Sequence, residues 1–97
     1  MLLSILLSSL LLSTTPPKII KPIEISPYDV SPSTEGTAVV EFRIDELGEV
    51  CEVNIVDTFD VTINPLIEKA VRRMKFEPAL QNGNPVRVMY SLPIRFE

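Results

Sequence analysis

The chain has 97 residues, which allows one small domain with a thin hydrophobic core. Its formal net charge of -4 makes nucleic acid a poor partner, because neutralising phosphates dominates that affinity. It contains no histidine, the usual general base and commonest metal ligand, and its single cysteine, Cys51, cannot form an internal disulfide. We find no cysteine dyad and no phosphate-binding glycine loop, and therefore predict a protein that is not an enzyme and binds neither a metal nor a cofactor.

The N-terminal part divides into an apolar run and a proline-rich segment. Residues 1–15 carry no charged side chain. Their apolar run is shorter than the 20 or so residues of a membrane-spanning helix and suits the apolar part of a signal peptide. We expect residues 1–15 to direct export, as a signal peptide or as a short membrane anchor. Residues 16–34 are rich in proline, which predicts an extended tether, with packing along the domain surface as the alternative.

Two strands joined by a tight turn follow this segment. Residues 37–44 alternate between apolar and polar side chains, which predicts a strand with one buried face that includes Phe42. Residues 45–48, DELG, suit a tight turn. Residues 49–57 then form a second strand, whose inner face we assign to Cys51, Val53 and Ile55.

The next element is an amphipathic helix. Asn64 followed by Pro65 is typical of a helix start, with a capping residue and then proline in the first turn. Arg72 and Arg73 come late in the helix, where cations suit the helix dipole. We interpret Arg72, Arg73 and Lys75 as a solvated helix end, with an anion site as the alternative, and Arg72 and Arg73 are candidates for a secondary contact with a partner. The apolar residues recur at helical spacing: Ile67, Ala70, Val71 and Met74.

A last strand completes the pattern. Asn82 and Gly83 predict a turn, and residues 86–96 alternate again, with Pro93 in the outward set. Proline within a strand is confined mainly to sheet edges. The order strand, strand, helix, strand therefore predicts an α+β fold. We expect a three-stranded antiparallel sheet of order 2-1-3, with the main helix packed on one face and the last strand at an edge.

The predicted edge strand offers backbone groups to which another peptide could bind. Pro93 has no N–H group, so the backbone groups at its position should face the open side of the sheet. Residues of the same parity share that side, and such an edge can accept a peptide as an added strand. The predicted protein-binding residues are Arg87, Met89, Ser91, Pro93 and Arg95.

Four segments in this order and spacing resemble the C-terminal domain of TonB-family energy transducers. They are EGTAVVEFRIDELGEV at 35–50, AVRRMKFEPA at 70–79, NGNPV at 82–86 and LPIRF at 92–96. The resemblance places a TonB C-terminal-like domain at residues 35–97. The chain departs from the usual family pattern in two features. Its tether is short, and Tyr28 is not followed by the proline that often comes after this tyrosine in the family.

The resemblance implies a periplasmic domain that couples to outer-membrane TonB-dependent receptors during energy-dependent transport of nutrients such as siderophores or cobalamin. A short receptor segment would pair near the last strand, residues 86–96, and inner-membrane proton-motive motor proteins would supply the force. The alternative is a stand-alone exported periplasmic adaptor without energy transduction, which could form a homodimer through the same edge.

Overall fold

The computed structural model describes residues 14–26 and 28–97. Apart from Thr14 and Thr15, the predicted signal peptide or short membrane anchor at residues 1–15 lies outside this range. Among the described residues, no helix is both long enough and apolar enough to cross a membrane. The elements in chain order are β1 (Thr14–Thr15), β2 (Lys18–Lys21), β3 (Gly36–Ile44), β4 (Val50–Asp57), a 3-10 turn (Val61–Ile63), α1 (Asn64–Arg72), β5 (Lys75–Glu77), β6 (Ala79–Gln81), β7 (Asn84–Val86) and β8 (Val88–Phe96).

The largest sheet is antiparallel and has the order β4-β3-β8, with β3 in the middle. The pairing of β3 with β8 runs without a register shift from Gly36 opposite Phe96 to Ile44 opposite Val88. The predicted α+β class with antiparallel strands is confirmed. The prediction of a single sheet is incomplete, because the described residues also form the small sheets β1-β6-β7 and β2-β5. Strands of two to four residues are too short to show an alternating pattern.

One hydrophobic cluster joins the sheet to the helix. The inward residues of β3 have no exposed surface, and those of α1 are 4% exposed or less. Burial of such side chains stabilises the fold by about 1.5–3 kcal/mol each for the larger ones. The predicted helical stripe and the predicted face of the first strand are therefore confirmed. The residues concerned are Ala38, Val40, Phe42 and Ile44 on β3, and Ile67, Ala70 and Val71 on α1, with Met74 just after it.

A β-bulge in β4 changes which of its side chains face the core. Glu52 has φ 52°, in the left-handed region, and the pairing with β3 shifts register around it. Before the bulge, Val50 lies opposite the buried Ile44, whereas Cys51 lies opposite Arg43. Residues directly opposite each other project to the same face. The prediction that Cys51 belongs to the inner face is therefore wrong, because the extra residue inverts the alternation.

The helix begins differently from the prediction. The 3-10 turn precedes α1, and the Asp60 carboxylate caps it by accepting hydrogen bonds from the Thr62 backbone N–H at 2.9 Å and from the Thr62 hydroxyl at 2.6 Å. These bonds lower the pKa of the Asp60 carboxyl. Ile63 is the N-cap, Asn64 is already helical, and the buried Asn64 side-chain Oδ1 has no hydrogen-bond partner among the described residues, so its predicted role as the N-cap is wrong. Pro65 does lie in the first turn.

The turn between β3 and β4 also contacts the segment after the helix. The Asp45 carboxylate accepts hydrogen bonds of 2.9 Å from the backbone N–H groups of Leu47 and Glu49, as expected of a tight turn. Gly48 has φ 81°, and its carbonyl accepts a 3.0 Å hydrogen bond from the Phe76 N–H. A Cβ atom at Gly48 would lie 1.8 Å from the Phe76 carbonyl oxygen. This position therefore requires glycine.

The predicted turn at Asn82 and Gly83 is confirmed. It joins β6 to β7, and both residues have positive φ, 53° and 81°, as a two-residue type I′ hairpin requires. The predicted last strand is interrupted, however. Residues 84–86 pair with β6, Arg87 lies between strands, and β8 begins only at Val88.

The described part of the proline-rich segment packs along the domain. Lys18–Lys21 pairs with β5, and Thr14–Thr15, just before this segment, pairs with β6. Further along, three half-buried side chains contact the core cluster: Ile23, Ile25 and Val30. These described residues therefore lie along the surface of the domain.

Candidate protein-binding edge

β8 lies at the margin of the main sheet. It pairs with β3 on one side and, among the residues that the structure describes, no strand lies on its other side. Its side chains alternate between inner positions, which are buried or half-buried, and exposed outer positions. The exposed residues include Met89, at 54% exposure, and Ser91, Pro93 and Arg95. Arg87 immediately precedes the strand and is also exposed.

The register fixes which backbone groups of β8 face the open side. On β3, the Asp45 N–H that follows the strand donates to the Glu49 carbonyl at 3.0 Å, towards β4. Direction alternates with each residue along a strand, so the odd-numbered residues of β3 face β4 and the even-numbered ones face β8. Pro93 lies opposite the odd-numbered Val39. The odd-numbered residues of β8 therefore direct their backbone groups away from β3.

The absence of an N–H group at Pro93 agrees with this assignment. A residue that exchanged both hydrogen bonds with β3 would need a donor, which proline lacks. The turn after β3 and the proline in β8 thus both indicate that the odd-numbered residues of β8 direct their backbone groups to the open side. Met89, Ser91 and Arg95 share this orientation with Pro93.

Exposed ion pairs flank the edge. At its start, the Arg87 Nε donates to the Glu46 carboxylate at 3.2 Å, and this contact raises the pKa of Arg87 above its ordinary value. At its end, the Arg95 Nε lies 3.0 Å from the Glu97 carboxylate, and both side chains are about three-quarters exposed. Exposed pairs of this kind contribute little to stability. Both guanidinium groups could therefore exchange their partner for an incoming carboxylate.

An aromatic cluster packs against the inner face of β8. The ring centroid of Tyr90 lies 5.4 Å from those of Phe42 and Phe76, which are 5.8 Å from each other. Both phenylalanines are buried, and Tyr90 is half-buried. Tilted aromatic pairs at such distances contribute about 0.5–1.5 kcal/mol each beyond the area that they bury. They hold the middle of β8 in a fixed position against the central strand.

The sequence matches the protein family described as Gram-negative bacterial TonB protein C-terminal over residues 31–97. The chain belongs to this TonB C-terminal family. The match confirms the resemblance found in the sequence, and it includes every element from β3 to β8. A comparison with curated proteins found no match.

The TonB C-terminal domain separates the two arginines that were predicted as a secondary contact. Arg72 forms an ion pair one turn apart with Glu68, at 3.1 Å. Arg73 instead lines a cleft of about 130 Å³ between α1 and the N-terminal segment, together with Glu24 and Asp29. Lys69 also lines this cleft, so two cations and two carboxylates share it. No cluster of three or more potential metal ligands occurs in the described part of the domain.

Sequence reasoning missed Glu46 as a neighbour of the edge. Glu46 and Arg87 are 41 positions apart, and they meet only because the β3–β4 turn lies beside the start of β8. No local pattern could indicate this pair. It also missed the cleft of about 310 Å³ at the other end of β8, which is lined by Glu35, Gly36, Thr37, Arg95, Phe96 and Glu97.

Proposed function

We propose that this TonB C-terminal domain binds a short extended segment of an outer-membrane TonB-dependent receptor, and that the segment adds as a strand to the open side of β8. The observation that carries the proposal is the position of β8. It is a nine-residue strand with exposed odd-numbered side chains and no strand on its outer side among the described residues. Main-chain hydrogen bonds would give affinity, and alternate side chains would give specificity.

The surroundings of β8 suit a selective binding edge. An exposed edge tends to pair with any other strand unless charged residues or proline discourage it. Here Pro93 interrupts the outer side, and Arg87 and Arg95 stand at its two ends. The aromatic cluster under Tyr90 fixes the edge before a peptide arrives, so little conformational freedom would be lost on binding.

Family membership supports the wider role. In this proposal the domain lies in the periplasm, and the N-terminal segment exports it. It transmits energy from inner-membrane proton-motive motor proteins to receptors that import nutrients such as siderophores or cobalamin. The exported adaptor without energy transduction has no observation in its favour, so we do not propose it.

Photo-crosslinking in cells tests the proposal. A photoreactive amino acid would replace Met89, which is 54% exposed on the edge, and in a control variant would replace Val61, which is 71% exposed in the 3-10 turn. We expect the Met89 variant alone to crosslink to an outer-membrane receptor, identified by mass spectrometry. Equal receptor crosslinking at both positions, or none at Met89, would contradict the proposal.

A further inference from the structure

We infer that residues 14–21, which we name the strap, support the β8 edge from a distance and detach first when the domain is pulled from its N-terminal side. Detachment weakens peptide binding at β8, so that tension regulates how long the domain holds its partner. This inference rests on the proposed function, in which energy reaches the domain through its N-terminal segment. The strap lies before residue 31, where the match to the TonB C-terminal family begins, so this support is additional to the matched domain.

Strand β5 lies between the strap and the β3–β4 turn. The Phe76 N–H donates to the Gly48 carbonyl at 3.0 Å, so the backbone groups of Phe76 face the turn. On the strap, Ile19 lies opposite Phe76. The two residues therefore form a non-hydrogen-bonded pair, the type in which opposite side chains lie closest together. Ile19 thus covers the Phe76 side chain from the strap side.

Phe76 connects the strap to the β8 edge. Its side chain is 2% exposed, and its ring centroid lies 5.4 Å from that of Tyr90. Tyr90 lies on β8 between the edge residues Met89 and Ser91. Without Ile19 beside it, the Phe76 ring would lose packing contacts on one side and Tyr90 would lose a fixed neighbour. The position of the β8 edge therefore depends in part on the strap.

The strap is weakly held. All four residues of β2 are exposed, Ile19 by 47% and Ile20 by 62%, so their pairing with β5 buries little apolar surface. Residues 16 and 17, both proline, separate β1 from β2, and a register shift between Ile19 and Lys21 interrupts the pairing of β2. Local opening occurs first where few apolar contacts are buried. These features predict that the strap opens before the main sheet does.

The charges along the strap add no strong hold. Lys18 lies opposite Glu77, which is a favourable pair, whereas Lys21 lies opposite Lys75, and like charges directly opposite each other are destabilising. The two pairs offset each other.

The residues that follow the strap are held more firmly. Pro22 separates the strap from Ile23 and Ile25, which are half-buried and contact the core cluster. A pull on residues 1–13 reaches β1 and β2 before it reaches these side chains. The strap can therefore detach while the rest of the domain stays folded.

A reversible crosslink tests the effect of tension. Lys18 and Glu77 are exposed and lie opposite each other in a hydrogen-bonded pair, whose Cα atoms are typically about 5.5 Å apart, a separation that suits a disulfide. The full chain with Lys18→Cys, Glu77→Cys and Cys51→Ser holds the strap in place when oxidised and frees it when reduced. Its ligand is a nonapeptide selected from a random library for binding to the full chain and for amide shifts in β8. Handles on residue 1 and on the peptide apply a constant force.

The measured quantity is the lifetime of the complex under this force. We expect the oxidised chain to hold the peptide about ten-fold longer than the reduced chain, because the strap then keeps Phe76 and Tyr90 in place. Without force the two lifetimes should be equal, because the strap is docked in both. Equal lifetimes under force would overturn the inference.

A pair of variants tests the support without force. Lys18→Pro removes the N–H that faces β5, whereas Lys18→Ala removes the same side chain and retains the N–H. We expect Lys18→Pro to bind the nonapeptide about ten-fold more weakly and to exchange the Tyr90 amide hydrogen faster, with Lys18→Ala unchanged in both. Amide spectra of β3 verify that both variants are folded. Equal affinity and equal Tyr90 exchange in the two variants would contradict the support.

The outcomes separate the inference from the function on which it rests. If the peptide binds β8 but neither the disulfide nor Lys18→Pro changes how it is held, the inference is wrong and strand addition at β8 still stands. If no selected peptide shifts any amide of β8, the proposed function fails. In that case the Tyr90 exchange rates of the two Lys18 variants still decide whether the strap supports β8.

Discussion

Replacing Gly48 with alanine tests the contact that joins the β3–β4 turn to the strand after the helix. A non-glycine residue in the left-handed region costs roughly 1–2 kcal/mol, and Gly48 has φ 81°. The added Cβ would lie 1.8 Å from the Phe76 carbonyl oxygen, so β5 must move. That movement removes the 3.0 Å hydrogen bond from the Phe76 N–H, a loss of about 1 kcal/mol.

The displacement also disturbs the aromatic cluster. The Phe76 side chain is 2% exposed, and its ring lies against those of Phe42 and Tyr90. Forcing extra volume into a packed core typically costs about 1–3 kcal/mol. Together these effects predict that Gly48→Ala lowers the free energy of unfolding by about 3–6 kcal/mol. A thin-cored domain of this size lies near the lower end of the range of about 5–15 kcal/mol found for folded proteins, so the variant should lose most of its stability.

Gly83→Ala provides the matched control. Gly83 has the same φ of 81°, but a Cβ there would find no heavy atom within 4 Å. It should lose only the cost of the backbone conformation, roughly 1–2 kcal/mol. Urea denaturation of the two variants measures the difference in unfolding free energy. Equal losses would show that the close approach of Gly48 to Phe76 contributes nothing to stability, and would contradict this prediction.

Three further predictions concern the core, the bulge and the cap. Phe42→Ala should cost about 3–5 kcal/mol, because its side chain has no exposed surface; a thermal midpoint near that of the wild type would contradict its place in the core. Cys51→Ser should cost less than about 1 kcal/mol, because the thiol lies opposite Arg43 and outside the core; a loss typical of a buried site would contradict the bulge assignment. The folded-state pKa of Asp60 is lowered, so its stabilisation is present above its ordinary value of 3.8 and is lost as the pH falls through the lowered value. Asp60→Asn should therefore remove part of the stability loss that the wild type shows as the pH falls below 3.8, and an unchanged pH profile would contradict the cap.

The sequence predicts the parts of the fold that depend on regular patterns. The inward residues of β3 and the helical stripe, from Ile67 to Met74, follow simple periods and are buried as predicted. The turn at Asn82 and Gly83 follows from the need for positive φ. These features are local, so a short window of sequence contains all the information that determines them.

The features that the sequence did not predict depend on distant or irregular contacts. The bulge at Glu52 places a residue other than glycine in the left-handed region, and no composition signal precedes it. β1 and β2 exist because β5 and β6, some 60 positions later, provide edges for them. The Glu46–Arg87 pair likewise forms only when the turn and β8 are brought together. Each requires the fold to be assembled first.

In the proposed function, backbone groups on the outer side of β8 bind the receptor segment. The most direct measurement is the affinity of the crosslinked receptor segment, as a synthetic peptide, for a semisynthetic chain in which the Met89 amide is N-methylated. We expect a loss of about ten-fold or more, because the methyl group removes one hydrogen bond and blocks the approach of the strand. N-methylation of Gly83, in the exposed β6–β7 turn, serves as the control and should leave the affinity unchanged. An unchanged affinity after methylation at Met89 would contradict strand addition at this edge.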